Sequence, residues 1–376
     1  MNIKVVCSIV LAFALMPAID ATYLFEQFKE LKDAVPYVQL ADLPTPVYKS
    51  SRLSNALNHA HIFIKRDDLT GADQLYGGNK VRKLEFLLGD AVQKGAKKII
   101  TFGCVGTNHG LATACYSKQL GLDCLLMLKN QPNSPVVKQN LLLDHYFGAQ
   151  IAIFPNNQIR RAALDAIVGK ENETYFIPTG GSVPLGALGY VNAAFELKDQ
   201  IQKGMMPEPD FIYLPIGSCG TTAGLLLGFV LAKIKSKIIG VAVEPEEAVD
   251  EFEINTQKLF LATNELLHEQ STDIPLLEFP EAQLIINKDF CGEYYGQWLP
   301  AGDDAAQLMK SEENINLEGT YSAKAFAALI ADVKNNSAMK NKIVLFWNTY
   351  CGLDFSQMIN GIDYHQLNPE VHSYFE

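Results

Sequence analysis

The sequence predicts an α/β protein made of two units of parallel sheet covered by helices. From residue 60 onward, short β-like runs alternate with amphipathic helical patterns, the alternation that parallel sheets with helical crossovers require. The chain has 376 residues, 48% of them hydrophobic, enough for one large core or two medium ones. So many candidate strands in that length favour two units that share a cleft.

Taken in order, the candidate strands are 61–65, 98–102, 124–128, 150–154, 175–177, 211–214, 238–243 and 343–347. Helical periodicity lies between them at 81–93, 110–120, 135–147, 185–202 and 223–234. Residues 245–290 are richer in acid and less regular, and read as an insertion or a helical excursion.

The N-terminus departs from this pattern. Lys4 precedes an apolar run from Val5 to Ile19, broken only by Ser8 and Pro17. The run is short for a membrane span and ends in small residues, so residues 1–21 read as a secretory signal peptide. That predicts an exported or periplasmic protein with no membrane association after cleavage. A buried N-terminal helix or strand, with a cytoplasmic location, is the alternative. The net charge of -11, with no long Lys/Arg cluster, argues against nucleic acid as a partner. Beyond Cys7 the cysteines are Cys104, Cys115, Cys124, Cys219, Cys291 and Cys351, with no C-x-x-C pair. They read as core and loop thiols, and no metal site is predicted.

Gly77-Gly78-Asn79-Lys80-Val81-Arg82-Lys83-Leu84-Glu85 is the stretch that points to chemistry. Asn79 is expected to be the helix N-cap, which places Lys80 in the first turn. The positive end of the helix dipole there favours a neutral amine, the form that Schiff-base chemistry needs. Taken alone, the stretch also reads as a solvated lysine at a helix start.

Three loops follow strand ends, where ligands gather in such folds. Residues 217–224 combine glycines, hydroxyls and a helix N-terminus, a cradle suited to phosphate. They carry neither G-x-G-x-x-G nor the Walker lysine. In 103–110, Thr107 and Asn108 sit at another helix start and suit a substrate carboxylate, with His109 beside them. The third loop is 348–352. A reactive lysine, a separate phosphate cradle and a carboxylate loop together describe a pyridoxal-phosphate enzyme.

Ile64-Lys65-Arg66-Asp67-Asp68-Leu69, Gly106-Thr107-Asn108-His109, Ile177-Pro178-Thr179-Gly180-Gly181 and Leu185-Gly186-Ala187-Leu188-Gly189-Tyr190 join these motifs in chain order. Over roughly residues 40–350 the set resembles the D-cysteine desulfhydrase and aminocyclopropane-carboxylate deaminase family. The resemblance implies the tryptophan-synthase-β type of fold (fold type II) and pyridoxal 5'-phosphate as cofactor. Position by position, Lys80 matches the Schiff-base lysine, with Asn79 beside it at the cofactor. Thr107 matches a serine of the family, and Asn108 would bond the cofactor's phenolic oxygen or the substrate carboxylate, with His109 at the substrate. Gly217, Ser218, Cys219, Gly220, Thr221 and Thr222 match the phosphate loop. Tyr295 and Tyr321 match two active-site tyrosines near the substrate. The resemblance further implies a smaller domain of residues 84–183 inserted into a larger one of 22–83 plus 184–376, and a homodimer.

Ser322 stands where the deaminases have glutamate and the desulfhydrases a hydroxyl, beside the pyridine nitrogen. A carboxylate there keeps the ring a strong electron sink, as opening a cyclopropane asks, whereas β-elimination of sulfide needs less. The expected activity is therefore α,β-elimination on a small amino acid, D-cysteine first, giving pyruvate, hydrogen sulfide and ammonia. Deamination of 1-aminocyclopropane-1-carboxylate is the alternative. A non-catalytic amino-acid-binding protein is the rival from another class, because Tyr350 and Cys351 stand where Thr-Gly-Gly is usual. Glu318-Gly319-Thr320 likewise replaces Asp-Pro-Val. A NAD-dependent oxidoreductase ranks below these for want of a glycine fingerprint.

Overall fold

The computed structural model describes residues 22–71, 75–168, 173–244 and 250–376. The signal-peptide reading of residues 1–21 lies outside them. Helices α1 (Tyr23–Gln27), α2 (Leu31–Ala34) and α3 (Ser51–Ala56) flank β1 (Val47–Lys49). That strand pairs antiparallel with β2 (Ile62–Arg66). Helix α4 (Asn79–Gln93) then leads into β3 (Lys98–Cys104), α5 (Asn108–Gln119), β4 (Asp123–Lys129), α6 (Pro135–Tyr146), β5 (Gln150–Ile153), α7 (Asn157–Val168) and β6 (Thr174–Ile177). These four strands form an all-parallel sheet in the order β5-β4-β3-β6.

The chain then follows α8 (Pro184–Gln202), β7 (Phe211–Ile216), α9 (Gly220–Ala232), β8 (Lys237–Ala242), α10 (Asp250–Gln270) and β9 (Leu284–Asn287). It closes with α11 (Pro300–Glu313), α12 (Ser322–Asn335), β10 (Val344–Asn348) and α13 (Ser356–Ile359). The second sheet has six strands in the order β1-β2-β10-β7-β8-β9, parallel except for β1. Every expected strand is present. The stretch 245–290 supplies the 21-residue helix α10 and the edge strand β9. It is therefore part of the sheet's own framework.

A buried ionic cluster fastens the larger sheet to its helices. Asp67, just past β2, accepts from Arg82 of α4 (2.7 and 3.0 Å), Tyr190 of α8 (2.8 Å) and Trp347 of β10 (2.7 Å). Glu196 of α8 takes Arg82 from the other side at 2.9 Å, and also pairs with Lys65. All of these side chains are fully buried. Buried charges of this kind are tolerated only when each finds partners. The Asp67 backbone carbonyl also accepts the Gly78 N–H at 3.0 Å, so the cluster anchors the turn that delivers Lys80.

Gly78 holds that turn at φ +91, in the region L side chains avoid. A Cβ there would also sit 2.9 Å from the Thr349 carbonyl oxygen. Asn79 is not the cap expected from the sequence. It is the first helical residue, Gly78 occupies the cap position without a side-chain bond, and the Asn79 N–H donates to Thr349 O at 3.0 Å. The Asn79 side chain is thereby released from capping and turns to Thr221 Oγ1 (3.2 Å).

Candidate active site

The loops after β3, β7 and β10 and the start of α4 meet around one cleft of about 510 Å³, within the usual size of small-molecule sites. Residues from both sheets line it. Every site residue expected from the sequence reaches this cleft except Ser322.

Lys80 stands in the first turn of α4, half-buried, with its Nζ 3.0 Å from Asn79 Oδ1. Burial lowers its pKa to about 8, and the Glu318 carboxylate opposes that shift only in part. An amine needs its lone pair to attack an aldehyde, so capture of a carbonyl cofactor should accelerate as pH rises. We expect apoprotein mixed with pyridoxal phosphate to show a capture rate with its midpoint near pH 8. Replacing Glu318 by Gln removes the carboxylate that favours the charged amine, so the midpoint should move lower. A midpoint near the ordinary lysine value of about 10.4 in the unaltered protein would contradict this.

The loop after β7 meets the start of α4, where Thr221 Oγ1 accepts from the Asn79 side-chain amide. Strand β7 runs into Gly217 and Ser218, Cys219 turns in the left-handed region at φ +65, and α9 starts at Gly220. Ser218 Oγ accepts from Ser182 Oγ at 2.8 Å, and Ser182 Oγ accepts the Gly220 N–H at 3.2 Å. Thr222 Oγ1 is buried with no hydrogen-bond partner among the described residues. An orphaned hydroxyl in the first turn of a helix fits an anionic oxygen. Lys83, one helical turn beyond Lys80, projects here. It donates to Gly180 O (3.1 Å) and Ser182 Oγ (3.2 Å). Burial, and then the neighbouring Lys80, hold its pKa well below the ordinary lysine range. Its Nζ would lie 2.8 Å from a Cβ on Gly220, so glycine leaves room for the cation. The sequence reading missed Lys83, although its spacing of three from Lys80 puts both on one helix face.

On the smaller sheet, Thr107 caps α5 by accepting the Gly110 N–H at 3.1 Å. Asn108 Oδ1 accepts from Tyr76 (3.1 Å) and Asn140 (3.2 Å), which leaves its Nδ2 donors for a ligand. Thr101 Oγ1 gives its one proton to Ile177 O at 2.8 Å, so His109 Nε2, 2.9 Å away, must carry a hydrogen. Burial, with Lys80 and Lys83 near, keeps His109 neutral.

The hydroxyls of Tyr295 and Tyr321 hydrogen-bond to each other across the cleft, and burial raises both pKa values. Ser322 is fully buried, and its Oγ accepts the Glu318 N–H at 3.0 Å. Glu318 itself lines the cleft. Its carboxylate accepts the N–H groups of Thr320, Tyr321 and Ser322 at 2.7 to 2.9 Å. Burial pushes its pKa up, and those three bonds pull against it. Sequence reading treated Glu318 only as a departure from Asp-Pro-Val and missed its place in the cleft. Of the two bulky residues at 350–351, only Tyr350 reaches the cleft. Cys351 turns beneath it, where its sulfur accepts the Gly77 N–H at 3.1 Å.

A family model described as pyridoxal-phosphate dependent enzyme matches residues 38–349. The chain belongs to this family. This pyridoxal-phosphate-dependent enzyme is 33% identical over 323 residues to a D-cysteine desulfhydrase of Serratia proteamaculans, covering 84% of this chain and 93% of the relative. It is 32% identical over the same length to a putative 1-aminocyclopropane-1-carboxylate deaminase of Pyrococcus abyssi, covering 84% and 91%. A crystal structure of an ACC deaminase homologue superposes with a TM-score of 0.71 at 28% identity, over 95% of this chain and 100% of that one. The fold is that of the type II pyridoxal-phosphate enzymes and the cofactor is pyridoxal 5'-phosphate. The orphaned Thr222 hydroxyl, buried Lys83 and the N-terminus of α9 fit its phosphate, and the Lys80 amine fits its aldehyde.

Proposed function

We propose that this enzyme is a lyase carrying out α,β-elimination on a small amino acid, with D-cysteine the leading substrate. The reading rests on 33% identity to a D-cysteine desulfhydrase along 93% of that relative, and on the want of a carboxylate at 322, where the resemblance puts one in the deaminases. Ser322 itself lies buried beneath Glu318, outside the cleft. D-cysteine and water would give pyruvate, hydrogen sulfide and ammonia. When bound, pyridoxal phosphate supplies the electron sink for charge left at Cα. The chain's own residues do the rest. Lys83, Gly217, Ser218, Cys219, Gly220, Thr221 and Thr222 hold the phosphate, and Asn79 and Asn108 orient the ring. The Thr107 hydroxyl and the first-turn amides of α5 hold the substrate carboxylate. His109, neutral with its proton on Nε2 toward Thr101, has only an acceptor to offer at Nδ1 and takes no part in that contact. Lys80, or a group beside Thr107 and Tyr295, takes the Cα proton, and the Tyr295–Tyr321 pair, kept protonated by burial, gives a proton to the departing sulfide.

A second reading has its own support. The Glu318 carboxylate lines the cleft, and an acid there favours the stronger sink that cyclopropane opening requires. The deciding assay is keto-acid release from D- and L-cysteine, D-serine, chloroalanine and aminocyclopropane carboxylate. Pyruvate with sulfide from D-cysteine, faster than 2-oxobutyrate from the cyclopropane, supports elimination. The reverse order makes the enzyme a deaminase, and no turnover of any of them supports the non-catalytic binder that Tyr350 and Cys351 suggested.

Three further readings are part of this proposal. Residues 84–183 form the smaller domain, supported by the four-stranded sheet that they supply. The enzyme works as a homodimer, by family resemblance. Residues 1–21 are a signal peptide removed on export, supported by their apolar run behind Lys4. N-terminal sequencing of protein from its native host should begin after about residue 21, and an intact Met1 would overturn that reading. Among the described residues no helix is long and apolar enough to cross a membrane.

A further inference from the structure

The cleft is cationic although the chain carries a net charge of -11. Lys80, Lys83, Lys129 and Arg160 line it, against Glu244 and Glu318. Lys80 and Lys83 are accounted for by the cofactor, and the α-carboxylate of an amino acid by the loop at Thr107. Lys129 and Arg160 are left over, at the end of β4 and the start of α7. We propose that they form a second anion subsite, and that the natural substrate is an amino acid whose side chain carries its own anionic group, a carboxylate, sulfonate or phosphate. This rests on the reading of the cleft as an amino-acid elimination site and departs from it on the substrate, placing an amino acid with an anionic side chain ahead of D-cysteine.

Arg160 is only 6% exposed, and no carboxylate among the described residues pairs with it. Its guanidinium lies 4.1 Å over the Phe102 ring, donates to Gly103 O (3.0 Å) and Asn157 Oδ1 (2.9 Å), and has an Nε with no partner among the described residues. Carbonyls and amides orient a guanidinium without cancelling its charge, and a buried, uncancelled cation is costly unless a ligand anion meets it. Lys129 is half-exposed at the same end of the cleft and makes no ion pair within 4.0 Å among the described residues. Glu244, the acid nearby, has its pKa raised by burial and can balance at most one of the two cations. Cys104, beside Lys129 in the sheet register, has a thiol that burial keeps protonated. The subsite thus adds positive charge beside the loop at Thr107, since Arg160 donates to Gly103 O and a Cβ on Gly103 would sit 2.7 Å from the Thr107 side chain.

The test titrates the holoenzyme with alanine and aspartate of each hand, neither of which carries a good leaving group. Binding is read from the absorption of the bound cofactor. Aspartate should bind tighter than alanine of the same hand by at least about tenfold, the scale of one charge-assisted hydrogen bond. The ratio should shrink in high salt. Arg160→Gln and Lys129→Gln should each bring it towards one. Because Arg160 also ties the ends of β3 and β4, its variant can fail to fold, and Lys129→Gln then gives the reading alone. Alanine binding with no preference for aspartate, or a preference that survives Lys129→Gln, overturns the subsite while leaving the amino-acid reading intact. No spectral response to either amino acid overturns both.

Discussion

Replacing Lys80 by alanine should abolish the visible absorption band of the bound cofactor and lower turnover by about three orders of magnitude or more. Lys65, Lys83 and Lys324 cannot stand in for it. Lys65 is locked to Glu196, Thr45 and Gln200, Lys83 faces the anion cradle, and Lys324 donates to Cys291 O. Phosphate contacts do not need Lys80, so the variant should still bind pyridoxal phosphate, without the band. Spectra and keto-acid assays of the purified variant check both parts. Retention of the band with turnover near that of the unaltered enzyme would mean another amine does this work.

The largest effect on stability should come from Arg82→Met. It leaves Asp67 and Glu196 facing each other, buried, with Lys65 as their remaining cation. Removing one partner of a buried ionic cluster costs about 3–5 kcal/mol, against total stabilities of about 5–15 kcal/mol. Urea unfolding followed by circular dichroism should show the midpoint fall accordingly. Burial pushes the Asp67 and Glu196 carboxyls up, but Arg82 and Lys65 pull both below the ordinary carboxylate range. Their stabilising contribution is therefore complete above the unfolded carboxylate pKa of about 4 and fades as pH falls below it. The gap between variant and unaltered protein should narrow in acid. A gap that stays constant with pH would show that lost packing of the arginine stem, not charge, is responsible.

Much of this was legible in the sequence because the signals are local. Continuous apolar runs such as 211–214 and 238–243, short and alternating with helical patterns, read as buried strands of a parallel sheet. The amphipathic pattern after Gly78 fixed α4 and put Lys80 in its first turn. Strands β1 and β9 were not foreseen, since three or four residues at a sheet edge carry almost no periodicity. The cap at Asn79 was misread because a glycine with positive φ supplied the turn instead. Site residues whose roles come from long-range packing were the hardest to see. Ser322 was placed at the cofactor by the family resemblance at its position, yet the first turn of α12 packs it beneath Glu318. Glu318 and Lys83 carry no motif of their own, and only the folded chain brings them to the cleft.

The central claim is that Lys80 carries the cofactor, and borohydride reduction of the holoenzyme followed by peptide mapping tests it most directly. Reduction fixes the cofactor on whichever amine holds it. A single pyridoxyl group is expected, on the peptide containing Lys80. A label on Lys65, Lys83 or Lys324 would contradict it.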